Sequence, residues 1–174
     1  ELFIPEQSHG CASLIINESF FKESLEMRRL LLRGMDALIT NVPGYCVCVT
    51  TADCVPVLLY DKKQHVVAAV HAGWKGTVKH IVSHVMDHLN KMFGTQGEDV
   101  IACIGPSISL ESFEVGDEVY DAFEESGFDM SLISMKKKET GKYHIDLWEA
   151  NRIELLNLGV PAEQIEVAGI CTYI

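Results

Sequence analysis

Cys54 and His71 stand at the outer ends of two apolar runs, "VPVLLY" and "HVVAAV", parted by the charged break "DKKQ". A thiol and an imidazole at such positions invite three readings. They are a buried small hydrophobe and a satisfied core histidine, or a nucleophile whose base lowers its pKa and takes its proton. Alternatively, both are ligands of zinc or copper. With Asp61 to Gln64 as a four-residue hairpin loop, Tyr60 is expected opposite His65, and Cys54 opposite His71. Directly opposed residues carry their Cβ atoms about 4.5–5.5 Å apart on one face. Pro56 cannot donate to a ladder and predicts an edge or a bulge in this hairpin.

A metal ion needs a third protein ligand, and an open fourth position would make the site catalytic rather than structural. His80, His84 and His88 follow one another at helical spacing. The apolar stripe of that segment centres near Val85, which leaves the three histidines on its flank as a partly exposed face. His65 belongs to the loop end of the hairpin, and His144 lies beside a predicted helix N-terminus, where a neutral imidazole is acceptable. Elimination leaves His9, in the polar turn "EQSHG", as a donor that can come from a separate segment.

The elements that must hold these residues alternate in type. "ESLEMRRLLLR" reads as a helix followed by Gly34, "DALIT" as a short strand and "NVPG" as a turn. "YCVCVT", "VPVLLY", "HVVAAV" and "VIACIG" are β-rich. From Thr77 to Phe93, Val78, Ile81, Val82, Val85, Leu89 and Met92 recur at helical spacing. "DEVYDAFEES" predicts another helix. Asp146 opens "DLWEANRIELLNLG" as an N-cap, with Glu149 three residues on and Gly159 after the last turn. "IEVAGICTYI" is the final strand. Helices alternating with strands, and a hairpin in the middle, predict an α/β (α+β) fold with mixed sheet layers covered by helices.

The 174 residues, 48% of them hydrophobic, suit a single domain over 1–174. A net charge of −11 argues against nucleic acid as a partner, since phosphate backbones need clustered Lys and Arg. No run is apolar and long enough to span a bilayer. Six cysteines without a disulfide-framework spacing are expected to be reduced, in a cytoplasmic protein.

"DALITNVPG", "TADCVPVLLYD", "VVAAVHAGWKGT", "IGPSI..ESFEVGDEV", "DLWEANRIELLNLGV" and "ICT" resemble, in that order, the YfiH family, also described as the multicopper polyphenol oxidoreductase (laccase) family and as a purine nucleoside phosphorylase and adenosine deaminase family. The resemblance covers almost the whole chain, and the paired "ADC" and "HAGW" elements are specific together. It implies that zinc, with copper as the alternative, is held by His9, Cys54 and His71. It further implies phosphorolysis of adenosine, inosine and methylthioadenosine, and deamination of adenosine to inosine, with purine nucleoside and phosphate as small-molecule partners. An open zinc site supplies hydroxide near neutral pH. Asp53 is then either a proton shuttle or an Asx-type cap. Trp74 and Gly76 either shape the substrate pocket or pack the chain behind His71. Lys75 replaces the family's usual Arg, keeping the charge but not the bidentate fork. Ser112 replaces a second cysteine. The family's Gly-rich N-terminal segment and its "FFSYRR"-like C-terminal segment lie outside Glu1–Ile174, so the chain reads as a trimmed copy. Three rivals remain: a polyphenol oxidase, a metal-free Cys/His hydrolase or amidase of peptidoglycan editing, and a metal-stabilised binding protein without turnover.

Overall fold

A computed structural model describes residues 1–173. In chain order its elements are β1 (Leu2–Phe3), β2 (Ser13–Ile15), α1 (Glu18–Lys22), α2 (Leu25–Leu31), β3 (Ala37–Thr40), β4 (Cys46–Val47), β5 (Val55–Asp61), β6 (Val66–Ala72), α3 (Trp74–Val78) and α4 (Ile81–Phe93). There follow β7 (Val100–Ile104), β8 (Glu114–Val115), α5 (Asp117–Glu125), α6 (Met130–Ile133), β9 (Ser134–Lys136), β10 (Tyr143–Ile145), α7 (Leu147–Asn157) and β11 (Ile165–Val167). Six strands form the main sheet in the order β11-β7-β5-β6-β3-β2. Its two outer pairings are parallel and its three inner ones antiparallel, so the sheet is mixed, as the alternation of elements requires. A three-stranded sheet β8-β10-β9 and a parallel pair β1-β4 complete the strands. Among the described residues no helix is long and apolar enough to cross a membrane.

The alternation in β5 shows how the layers are built. Val55, Val57 and Leu59 are buried, while Leu58 and Tyr60 are exposed. Period-two patterning therefore sends one set of side chains to the helix-covered face. There they meet Ile81, Val82, Val85, Met86 and Leu89 of α4 and Leu147, Ala150 and Leu155 of α7 in one core cluster. Asp146 caps α7 by accepting the Glu149 N–H at 3.0 Å, and Gly159 follows it at φ +85°. A smaller cluster on the other face joins Phe3, Ile16, Phe20, Leu38, Val47 and Ala69.

Several expectations change. The hairpin loop is Lys62 to His65, because Asp61 pairs with Val66 and Tyr60 with Val67. The Asp61 carboxylate accepts the N–H groups of Lys63 and Gln64 at 2.8 and 2.9 Å, and His65 takes the left-handed conformation that closes the turn. His71 consequently lies opposite Pro56, not Cys54. Pro56 is in a central strand without a bulge. The His71 N–H points away from it to the Asp36 carbonyl, and the Pro56 carbonyl accepts from Gly105, just past the end of β7. The proline thus sits where the ladder is ending. The predicted helix over Thr77 to Phe93 breaks at His80, which is left-handed (φ +55°), giving α3 and α4. On α4 Met86 is buried and Met92 is exposed. Finally, "YCVCVT" and "IEVAGICTYI" yield strands of only two and three residues. Beyond β11 the chain returns for a single bridge between Cys171 and Ser107, and Ile174 lies outside the described residues.

Candidate metal centre

His9, Cys54 and His71 converge. Each offers one ligand atom, and these atoms lie within 4.8 Å of one another; among the described residues they form the one such group of three. The His9 and His71 rings meet edge to face with centroids 4.8 Å apart. The donors come from three segments: the turn after β1, the loop before β5 and the end of β6.

Gln7 fixes the first segment against the second. Its amide nitrogen donates to the Thr50 carbonyl at 2.8 Å, and its amide oxygen accepts the Thr50 N–H at 2.7 Å. Cys54 is one residue short of β5 and faces Gly73 rather than His71. That offset is tolerated because Gly73 has no side chain. A Cβ there would lie 2.9 Å from the Cys54 sulfur and 3.6 Å from the His9 ring. Gly76 serves the same crowding one turn on, since a Cβ would lie 3.0 Å from the Gly10 carbonyl oxygen and 3.5 Å from that of His71. It is buried, and lets α3 seat on the His9 turn.

Asp36 is the organiser that the sequence reading missed. Its side chain is fully buried immediately before β3. One carboxylate oxygen accepts His71 Nδ1–H at 2.9 Å and the His9 N–H at 2.9 Å. The other accepts the N–H groups of Ser8 at 3.3 Å and Gly10 at 2.7 Å, and the Ser8 hydroxyl at 2.9 Å. His9 is left-handed (φ +59°), which turns successive N–H groups into a concave nest for an anion. A carboxylate only accepts, so His71 must carry its proton on Nδ1, leaving Nε2 as the donor atom. Burial alone would raise the Asp36 pKa; hydrogen bonds from His71, Gly10, Ser8 and His9 outweigh it and hold the carboxyl below its usual range.

The Cys54 thiol is pushed the other way, by burial first and then by the charges of Asp53 and Asp36. Without a cation it is therefore held neutral, a poor nucleophile. Two imidazoles and a thiol, running from exposed His9 through half-buried Cys54 to buried His71 beside two carboxylates and the side-chain-free Gly73, fit a zinc or copper ion. No fourth protein donor joins them among the described residues.

The flanking residues fall into place around this group. Asp53 is exposed, and its Oδ1 accepts the Thr172 hydroxyl at 2.7 Å; its carbonyl accepts the Ile108 N–H at 2.9 Å. Trp74 is half-buried against the core, and the exposed Lys75 lays its ammonium 5.5 Å from the Trp74 ring centroid. Ser112 lies 3.5 Å from the Cys171 sulfur. Hydrogen bonds from Ser109 and Ser112 pull the Cys171 thiol down to about 7. His80, His84 and His88 stay outside, His80 against Ser126 and Glu154 and His88 against Ser13. His65 bonds Tyr60 and His144 bonds the Leu110 carbonyl.

Gly73→Ala isolates the steric requirement, because the glycine's φ of −66° and ψ of 166° suit alanine. The added methyl must displace the Cys54 sulfur. Metal affinity, read by competition with a chelator, is expected to fall at least about ten-fold, the scale set by residues that orient metal ligands. The chelated protein should lose only the modest stability that separates glycine from alanine at an N-cap.

A family model described as multi-copper polyphenol oxidoreductase laccase matches residues 1–174. A purine nucleoside phosphorylase of Bacteroides thetaiotaomicron is 60% identical over all of this chain and 64% of its own length. Adenosine deaminase RL5, from an unknown prokaryotic organism, is 40% identical over 99% of this chain and 65% of its own. The chain thus spans just under two thirds of the length of these relatives. Among solved structures, the Bacillus licheniformis hypothetical protein YfiH superposes with a TM-score of 0.86 at 30% identity, covering 98% of this chain and 64% of that one. YlmD from Geobacillus stearothermophilus gives 0.85 at 29%, over 98% and 63%. Sequence and fold agree: the chain shares the fold of YfiH and YlmD and belongs to the multi-copper polyphenol oxidoreductase laccase family.

Proposed function

We propose that this chain carries the metal-dependent centre of a purine nucleoside enzyme. It would phosphorolyse adenosine, inosine and methylthioadenosine, and deaminate adenosine. The observation that carries the reading is the His9–Cys54–His71 group, whose ligand atoms lie within 4.8 Å of one another with no fourth protein donor among the described residues. Relatives named purine nucleoside phosphorylase and adenosine deaminase support the substrate class.

His9 Nδ1 or Nε2, Cys54 Sγ and His71 Nε2 would hold the ion. When bound, zinc would supply Lewis acidity and hydroxide near neutral pH. The chain's own groups have separate tasks. Asp36 keeps His71 in one tautomer and one orientation. Asp53, with Oδ1 engaged by Thr172, has Oδ2 left to take and return a proton beside the site. Lys75, two residues after Gly73, would supply the cation that meets phosphate; leaving the Trp74 face costs it a contact worth about 0.5–1 kcal/mol at an exposed site. In phosphorolysis a phosphate oxygen bonds to ribose C1′ as the bond to the purine nitrogen breaks. In deamination water adds at C6 of adenine and ammonia leaves.

The rivals are weaker on stated grounds. A metal-free hydrolase needs a Cys54 thiolate, and burial with two nearby carboxylates opposes it. A multicopper oxidase needs several clusters of histidines, and the described residues hold one three-donor group.

The test uses full-length, metal-quantified protein incubated with adenosine, with and without phosphate. Adenine and ribose 1-phosphate formed only with phosphate would establish the phosphorylase, and inosine in either case the deaminase. If neither forms while one metal is bound per chain, the purine reading fails.

A further inference from the structure

Away from the metal centre, two thiols approach each other. Cys46 and Cys48 lie at either side of Val47, with their sulfurs 3.8 Å apart. In extended chain, residues i and i+2 point to one side, so burying Val47 in the smaller core turns both thiols outward together. Their backbones are held in place. The Cys46 N–H donates to the Glu1 carbonyl and the Cys48 N–H to that of Phe3, both at 2.9 Å. Cys46 is exposed, Cys48 half-buried. Cys46 also lines an open apolar hollow of about 450 Å³ that Leu58, Tyr60, Ile101 and Cys103 share.

We propose that Cys46 and Cys48 form a reversible two-electron redox site whose oxidant is a hydroperoxide. The exposed Cys46 thiolate attacks one peroxide oxygen. The O–O bond breaks, a sulfenic acid forms and the other oxygen leaves, protonated, as an alcohol or, from hydrogen peroxide, as water. Cys48 sulfur then attacks the sulfenic sulfur. The S–S bond forms, the S–O bond breaks, and the thiol proton departs in a water molecule. Two thiols are oxidised to a disulfide and one hydroperoxide is reduced, to two waters in the case of hydrogen peroxide. Burial, and then the neighbouring Cys46, push the Cys48 thiol up, which disfavours its ionisation and leaves the first attack to the exposed Cys46. Two residues of extended chain set the Cα atoms about 6.6 Å apart, the long end of the range that disulfides span. The bond is therefore strained and readily reduced, a switchable pair and not a staple. The site is independent of the metal reading.

The test treats the full chain with stoichiometric hydrogen peroxide, blocks free thiols with an alkylating agent and digests with a protease cutting before aspartate. Cuts before Asp36 and Asp53 release residues 36–52, in which Cys46 and Cys48 are the only thiols. The expected fragment is two hydrogens lighter and carries no alkyl group, and dithiothreitol restores two alkylatable thiols. Cys46→Ser should abolish the lighter species and leave Cys48 alkylatable. A fragment that carries two alkyl groups after Cys103 has been oxidised would overturn the proposal. So would 36–52 cross-linked to another fragment.

Discussion

Cys54→Ala is expected to give a folded protein that retains no stoichiometric metal and turns over no nucleoside, and His9→Ala should do the same. The pairing of these variants gives them their force. Cys54 is half-buried at the lip of β5 and His9 is exposed on a turn, so neither truncation opens a cavity in the core. The chelated variants should therefore unfold at nearly the wild-type urea concentration. Metal, which binds the folded state, should raise the wild-type midpoint and leave both variants unmoved. If Cys54 were instead a nucleophile served by His71, His9 would be incidental. His9→Ala would then keep its activity while Cys54→Ala lost it. Metal content by elemental analysis and product formation by chromatography, on the same samples, separate the two cases. A fully active Cys54→Ala protein would remove both.

That His9, Cys54 and His71 come together is legible in the sequence, although the geometry behind it is not. A Cys54–His71 pair would need a loop one residue earlier than the one that forms. Asp61 looks like a turn residue by type, yet it belongs to β5 and acts on the turn through its carboxylate. The closing left-handed position falls to His65, a residue without glycine's signal. Cys54 and His71 still meet, because Gly73, opposite Cys54, leaves the space that a cross-strand partner would have filled. The sheet and the larger helices were legible because their burial follows simple periods. The break at His80 was not, since an apolar stripe runs on through Val78 and Ile81 regardless of one left-handed residue. Asp36 was invisible for a different reason. Its partners, Ser8, His9, Gly10 and His71, lie 26 to 35 residues away, and a single acid before a strand carries no local mark of such a role.

Asp36→Asn should therefore cost more than a charge. An amide offers one acceptor oxygen and one NH2 group. Whichever way it is turned, the NH2 meets N–H donors: those of His9 and His71 on one side, those of Ser8 and Gly10 on the other. A buried donor left without its acceptor costs about 1–3 kcal/mol, two are left on whichever side the NH2 faces, and the loss should appear in the urea midpoint of the chelated protein. Metal affinity should fall about 10–100-fold as well, the scale for carboxylates that orient a ligating histidine. The pH dependence identifies the carboxylate itself. Its folded pKa lies below the ordinary value of about 3.9. Its contribution to stability is then fully present above that value and is lost as pH falls through the lower folded value. Chelated wild type should thus lose stability below about pH 4 relative to the variant, and the gap between the two urea midpoints should narrow as acid is added. A gap that stays constant through this range would mean that the Asp36 charge does not hold the nest together, and the fixed tautomer of His71 would need another source.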